Sequence, residues 1–439
     1  MNEILWLLIG IATGSVAGLV PGISVVVLLL AFMPVLLHVE LINIFVFYIA
    51  FLITTQYFGS MTAIAYGVPG EISSVPAVTH GHRMMSRGLG DLAMSITATG
   101  SLIAGLSASI LLLLIYHVSQ YLVFLFNTTF LVIAYSLVLA IIVSMANKIW
   151  AGVLMLTLGL ILGKVGFDSL HGKYFFTVPY SLFESGIPFF PLFAGLLIVP
   201  MLTKFMHQKT TISAAADWSS SSPKRFLMLT RPKWWPCLLR GSLVGGIMGL
   251  VPGASYLMSS TVADRVERRM AGPRAIRQLI AAESANNAAA ITVLIPLLVF
   301  AIPIVPSEAI LLSIAESKGF SSSISLQFIK DHLLGLIGVI ILINLINWFL
   351  ARYWYQLIVG LYWHFRDAIY PMVMIFCITL MCWIAWQDRE IIESIIVFSV
   401  SYIVGRRIQD DQIKSIGIFG FFLSDSVLDE FYRFITIYF

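Results

Sequence analysis

The chain has 439 residues, 59% of them hydrophobic and 11% charged, with a mean hydropathy of +0.94. A soluble protein carries about 25% charged residues to face water, so composition excludes a soluble domain and predicts an all-α polytopic membrane protein. The net charge of +4 comes from cations in short loops, which excludes a nucleic-acid footprint. Cys237, Cys377 and Cys382 lie within or beside apolar stretches without metal-ligand spacing, which excludes a disulfide framework.

Met1-Asn2-Glu3 offers no positive n-region, so the first apolar stretch is expected to be retained. Apolar runs long enough to cross a ~30 Å hydrocarbon core recur throughout, and predict about 10–12 membrane segments. In chain order they are Ile4–Leu37, with an interruption at Pro21-Gly22, and Leu41–Val68, with one near Gly59. Asp91–His117, Tyr121–Ser144, Ile149–Gly166 and Ile187–Phe205 follow. A polar stretch with four consecutive serines then reads as a linker over residues 207–236 between halves at 1–206 and 237–439. The second half offers Leu238–Ala263, interrupted at Pro252-Gly253, then Gln278–Ile304, His332–Ala351 and Tyr353–His364. Tyr370–Trp386, Ile391–Val404 and Ile413–Leu423 complete the series.

The halves share a motif. GLVPGIS at residues 18–24 returns as GLVPGAS at residues 249–255, and Gly10, Gly14, Gly18 and Gly22 return as Gly241, Gly245, Gly249 and Gly253. Glycines four apart line one helical face and let another helix approach closely. The Pro-Gly step adds more than packing, because it breaks the helix and frees carbonyls on one side and N–H groups on the other. Such groups must be buried in protein or line a wet cavity, and transporters use paired breaks to hold ions and anionic solutes. Each break is followed by a polar segment leading to a further proline: Pro69-Gly70 after residues 56–68, and Pro303 after residues 283–302. The chain therefore reads as internally duplicated.

Loop charges orient the halves. The linker with its flanks, from Lys204 to Arg240, carries Lys204, Lys209, Lys224, Arg225, Arg231, Lys233 and Arg240 against Asp217. The loop expected after the second break carries Arg265, Arg268, Arg269, Arg274 and Arg277 against Asp264 and Glu267. With both cytoplasmic, Gly241–Ala263 enters and leaves from one side, and counting back places the first hairpin on the opposite side. The expectation is an inverted repeat.

With these elements in place, the chain resembles the large membrane subunit of tripartite tricarboxylate transporters, the TctA-like permeases. The resemblance rests on GSVAGLVPG, YFGSMTAIAYGVPG followed by a short basic loop, GGIMGLVPGAS, and ESANNAAAITVLIPLL. It implies secondary active uptake of a di- or tricarboxylate, with sodium or a proton as coupling ion and no other cofactor. It further implies a periplasmic solute-binding protein, a small membrane subunit and a multi-pass place in a bacterial or archaeal cytoplasmic (inner) membrane; a homo-oligomer is compatible with it. The sequence departs from the family pattern at Phe58-Gly59-Ser60, at His80-Gly81, and at Ala301-Ile302-Pro303-Ile304 where Gly-Ile-Pro-Gly is usual.

Candidate site residues follow from the breaks and the intramembrane polar groups. Gly22, Ser24, Ser60, Thr62, Ser73, Gly253, Ser255 and Asn286 are the candidates for the solute. Glu283 and Asn287 are the candidates for ion coupling, since with Asn286 they share a helix face inside an apolar run. Pro21, Gly22, Pro69, Gly70, Pro252, Gly253 and Pro303 are the helix breaks. The alternative for Glu283 is a headgroup position beside Arg274 and Arg277. Glu71 reads equally as a counterpart of Glu283 or a solvated loop carboxylate, and Glu308 as a helix cap or a cavity-lining group. His80 and His82, beside Arg83 and Arg87, read as a solvated loop rather than a metal site. No nucleotide-binding or hydrolytic motif is present. A passive channel or a membrane-embedded enzyme is the competing function.

Overall fold

In the computed structural model the described residues are all but 1, 20–24, 70–71, 123–127, 145, 147, 169–172, 176–181, 201–202, 204–231, 252–254, 302, 321, 388–389, 409 and 439. The described chain is helical, with one departure from the all-α expectation. Strands β1 (Gly166–Asp168) and β2 (Lys173–Phe175) pair antiparallel, with Phe167 opposite Tyr174.

Two compact units interleave the chain, one formed by Met1–Tyr121 with Thr210–Arg366, the other by Leu122–Lys209 with Asp367–Phe439. The first unit opens with α1 (Asn2–Leu19), α2 (Val25–Leu36) and α3 (Leu41–Tyr66). A 3-10 turn (Ile72–Ser74) and a π-helical turn (Ala77–His82) lead to α4 (Gly90–Leu122). Four further segments, α8 (Trp235–Met248), α9 (Ser255–Ala271), α10 (Ala275–Thr292) and α11 (Leu294–Phe300), belong to the same unit. So do α12 (Pro306–Glu316) and α13 (Ser322–Gln387) as far as Arg366.

The second unit holds α5 (Thr128–Ser144), α6 (Ile149–Gly163), the strand pair, α7 (Phe189–Phe193), α14 (Ile391–Arg407) and α15 (Asp411–Tyr438). Gly159 and Gly163 of α6 lie against the backbone of α15 at Gly417 and Phe421. There Lys164 Nζ meets Asp429 Oδ1 at 2.8 Å.

Among the described residues, Leu41–Tyr66, Gly90–Leu114, Ala275–Val299 and Ile324–Ala351 are the helices long and apolar enough to cross a membrane. The most apolar window of Ala275–Val299 is entirely buried, whereas only a third of that of Ile324–Ala351 is. A helix apolar all round suits either surrounding. Ala275–Val299 is therefore a central element, and Ile324–Ala351 offers much of its surface outward.

The glycine faces do what their spacing predicts. A Cβ built on Gly10 or Gly14 would fall 2.5 Å from Phe47 O or 2.6 Å from Phe51 O on α3. On Gly241 and Gly245 it would collide with Ala281 O and Ala285 O on α10. Only glycine leaves room for backbones this close. Three expectations change. The break near Gly59 does not exist, because α3 runs through it and its ends are set by Glu40 and Gly67. The segments at 332–351, 353–364 and 370–386 are one helix, with Pro371 inside it. The basic loop after the second break is largely helix α9.

Candidate functional site

The buried polar groups of the first unit gather along α10. Its run of alanines brings α8 and α9 close, so that Glu283, Asn286 and Asn287 are at most 2% exposed. Asn287 Nδ2 donates to Ser101 Oγ on α4 at 2.6 Å and to the Glu283 carbonyl at 3.3 Å. A main-chain carbonyl only accepts, so the amide nitrogen is fixed on that side and Oδ1 is presented on the other. That oxygen has no hydrogen-bond partner. Neither side-chain atom of Asn286 has one, nor do Glu283 Oε2 and Ser284 Oγ. The Ser60 hydroxyl of α3 faces the Glu283 carboxyl group, but Ser60 Oγ completes no hydrogen bond. Among the described residues, no arginine pairs with Glu283. Arg277 turns instead to Glu267, 3.1 Å from Nε to Oε1, so the headgroup alternative for Glu283 does not match its surroundings.

The remaining candidates are placed differently. Thr62 Oγ1 donates to Gly18 O and Phe58 O, each at 3.0 Å, and so fastens α3 to α1. Ser73 Oγ donates to Gln56 Oε1 at 3.1 Å, and its carbonyl accepts from Ser260 of α9. Pro69 and Pro303 each follow by two residues a left-handed residue that ends a helix. These are Gly67 (φ 70°) after α3 and Ala301 (φ 54°) after α11. Glu308 is a cap: its Oε2 accepts the Ile304 N–H at 2.9 Å, while Oε1 has no partner. Pro21, Gly22, Ser24, Gly70, Glu71, Pro252 and Gly253 lie outside the described residues, and Ser255 opens α9 with its side chain outside them.

His80 and His82 are buried, contrary to the solvated-loop reading. His80 Nε2 meets Asp264 Oδ1 at 2.9 Å, Gln278 Nε2 meets the same oxygen at 2.7 Å, and His82 Nδ1 meets Ile64 O at 2.9 Å. The acids of α9 explain this, because one face of that basic helix turns inward. Glu267, fully buried, takes Arg240 Nε at 2.7 Å and Arg277 at 3.1 Å. The sequence reading places Asp264 and Glu267 in a cytoplasmic loop, whereas they sit three apart on the inward face of α9.

Sequence reading also missed Ser101, Gln56, Asn344 and Asn347. Tyr57 OH donates to Asn344 Oδ1 at 3.2 Å, and Asn347 Nδ2 to Thr54 Oγ1 at 3.0 Å. The signal was available: two asparagines three apart in the apolar run ILINLINW have the one-face spacing that drew notice to Glu283 and Asn286. Ser101 had none, as one of several serines in α4.

The model of the tripartite tricarboxylate transporter TctA family matches residues 4–408. The chain belongs to the TctA family. A relative from Agrobacterium vitis, described as "Uncharacterized 52.8 kDa protein in TAR-I ttuC' 3'region", is 27% identical over 331 residues, covering 73% of this chain and 64% of the relative. No solved structure matches the chain. In this TctA-family chain, ESANNAAAITVLIPLL builds the C-terminal half of α10 and most of α11.

Proposed function

We propose that this chain is the membrane permease of a tripartite importer, moving a small di- or tricarboxylate by symport with sodium or a proton. A periplasmic solute-binding protein delivers the anion and a small membrane subunit accompanies the chain, in a cytoplasmic (inner) membrane. The observation that carries the reading is the buried seam at Ser60, Glu283, Asn286 and Asn287. A carboxyl group and amides held in a helix interior with no cation beside them are costly, and coupling to a transported ion gives such groups a purpose. Glu283 and Asn287 serve the ion, and the breaks at Pro21-Gly22 and Pro252-Gly253, with Ser24 and Ser255, serve the anion. Thr62 and Ser73, already engaged in packing, hold the frame.

Internal duplication fits the same reading. Phe47, Phe51 and Thr55 carry the carbonyls that face Gly10, Gly14 and Gly18, and Ala281, Ala285 and Ala289 those that face Gly241, Gly245 and Gly249. Each partner recurs 234 positions later, as do the left-handed caps Gly67 and Ala301 and the prolines Pro69 and Pro303. Two copies of one helix pair, each ending in a proline break, suit paired gates around one pathway. Asn287→Ala is the test. It should insert normally and fail to accumulate solute in vesicles carrying the assembled transporter; normal uptake would remove Asn287 from the mechanism.

A further inference from the structure

Resting on the symport reading, the seam also has a chemistry that separates the candidate ions. We propose that Ser60, Glu283, Asn286 and Asn287 form a dehydrated site for a single alkali cation of the sodium class, and that the organic anion binds elsewhere. The unpartnered atoms are Ser60 Oγ, Glu283 Oε2, Asn286 Oδ1 and Asn287 Oδ1, with one nitrogen, Asn286 Nδ2. All four residues are at most 2% exposed.

The set is rich in oxygen and poor in donors. A carboxylate solute needs N–H or O–H groups and cationic side chains. Here the Asn287 nitrogen is already spent on Ser101 and the Glu283 carbonyl, and Arg240 and Arg277 are spent on Glu267. A proton on Glu283 would satisfy one oxygen and leave the amide oxygens as they are. A hard cation engages several oxygens at once, drawn from carboxylate, amide and hydroxyl groups. One carboxylate balances one positive charge, so a monovalent ion leaves the buried site neutral and a divalent ion does not.

The Ser101 hydroxyl is then a positioning group. It does not belong to the ligand set, and by holding Asn287 Nδ2 it aims Oδ1 at the ion. Outer partners of this kind typically change metal affinity by about 10- to 100-fold.

The experiment is saturable binding of radioactive sodium to the full chain purified in detergent, without solute, binding protein or gradient. Unlabelled lithium and potassium compete in separate arms, and a pH series runs alongside. Wild-type protein should bind one sodium per chain. Glu283→Gln and Asn287→Ala should weaken binding by about 10-fold or more, with Ser101→Ala intermediate, whereas Glu308→Gln should bind like wild type. Thermal unfolding of the wild-type chain gives a readout free of variants that fail to fold: alkali chloride should raise its midpoint saturably over choline chloride. Displacement by lithium or potassium supports an alkali site and ranks its size. Proton release with no saturable alkali binding and no thermal shift overturns the proposal while leaving proton symport intact. Sodium binding in a chain that moves no carboxylate overturns the transport reading and leaves the site standing.

Discussion

Ala301 is a residue whose backbone works against its side chain. It adopts φ 54° where α11 ends, and its N–H closes onto Leu297 O. An alanine Cβ in that conformation costs about 1–2 kcal/mol, part of which glycine returns to the unfolded chain. Ala301→Gly is therefore expected to stabilise by about 0.5–1 kcal/mol, read as a higher thermal midpoint in detergent. Gly67, in the same role after α3, should tolerate the reverse change poorly. Glu267 is the opposite case, a carboxylate with two guanidinium partners and no exposure. Glu267→Gln strands two partly buried cations and should cost about 3 kcal/mol. A midpoint unchanged from wild type would show that solvent already neutralises those arginines.

Among elements, the glycine faces make the sharpest distinction. Gly14 and Gly245 meet facing backbone, while a Cβ on Gly59 meets nothing within 4 Å. Gly14→Ala and Gly245→Ala should each destabilise by about 1–3 kcal/mol through forced separation of the helix pairs. Gly59→Ala should stay within about 0.5 kcal/mol. The packing faces were legible because spacing by four is a property of the helix itself. The mistaken break at Gly59 shows the limit of that logic. A glycine in an apolar run marks a break, a close contact or neither, and only the neighbouring helix decides. The inward turn of α9 was hidden for a related reason. Arg265, Arg268 and Arg269 alternate with Asp264 and Glu267 in the sequence, and which face meets α8 and α10 is set by packing rather than by composition.

For the whole molecule, charge content pointed to the membrane class, and the cost of polar groups in an apolar helix pointed to Glu283, Asn286 and Asn287 as candidates, which the structure buries. Neither signal reached the division into two units, because each unit is assembled from distant stretches of chain. The inverted arrangement of the halves is a separate claim with its own test. Single cysteines at Asn2 and Ser220, in a chain lacking Cys237, Cys377 and Cys382, should react with an impermeant reagent from opposite sides. Reaction from one side removes the inversion. Coupled transport is tested most directly by uptake into proteoliposomes. The chain, its small partner and its binding protein are given di- and tricarboxylates under an inward sodium or proton gradient. Coupled transport gives accumulation above the external concentration that stops when an ionophore collapses the gradient. Equilibration to the external concentration, unchanged by the ionophore, would contradict it and make the pathway a passive one.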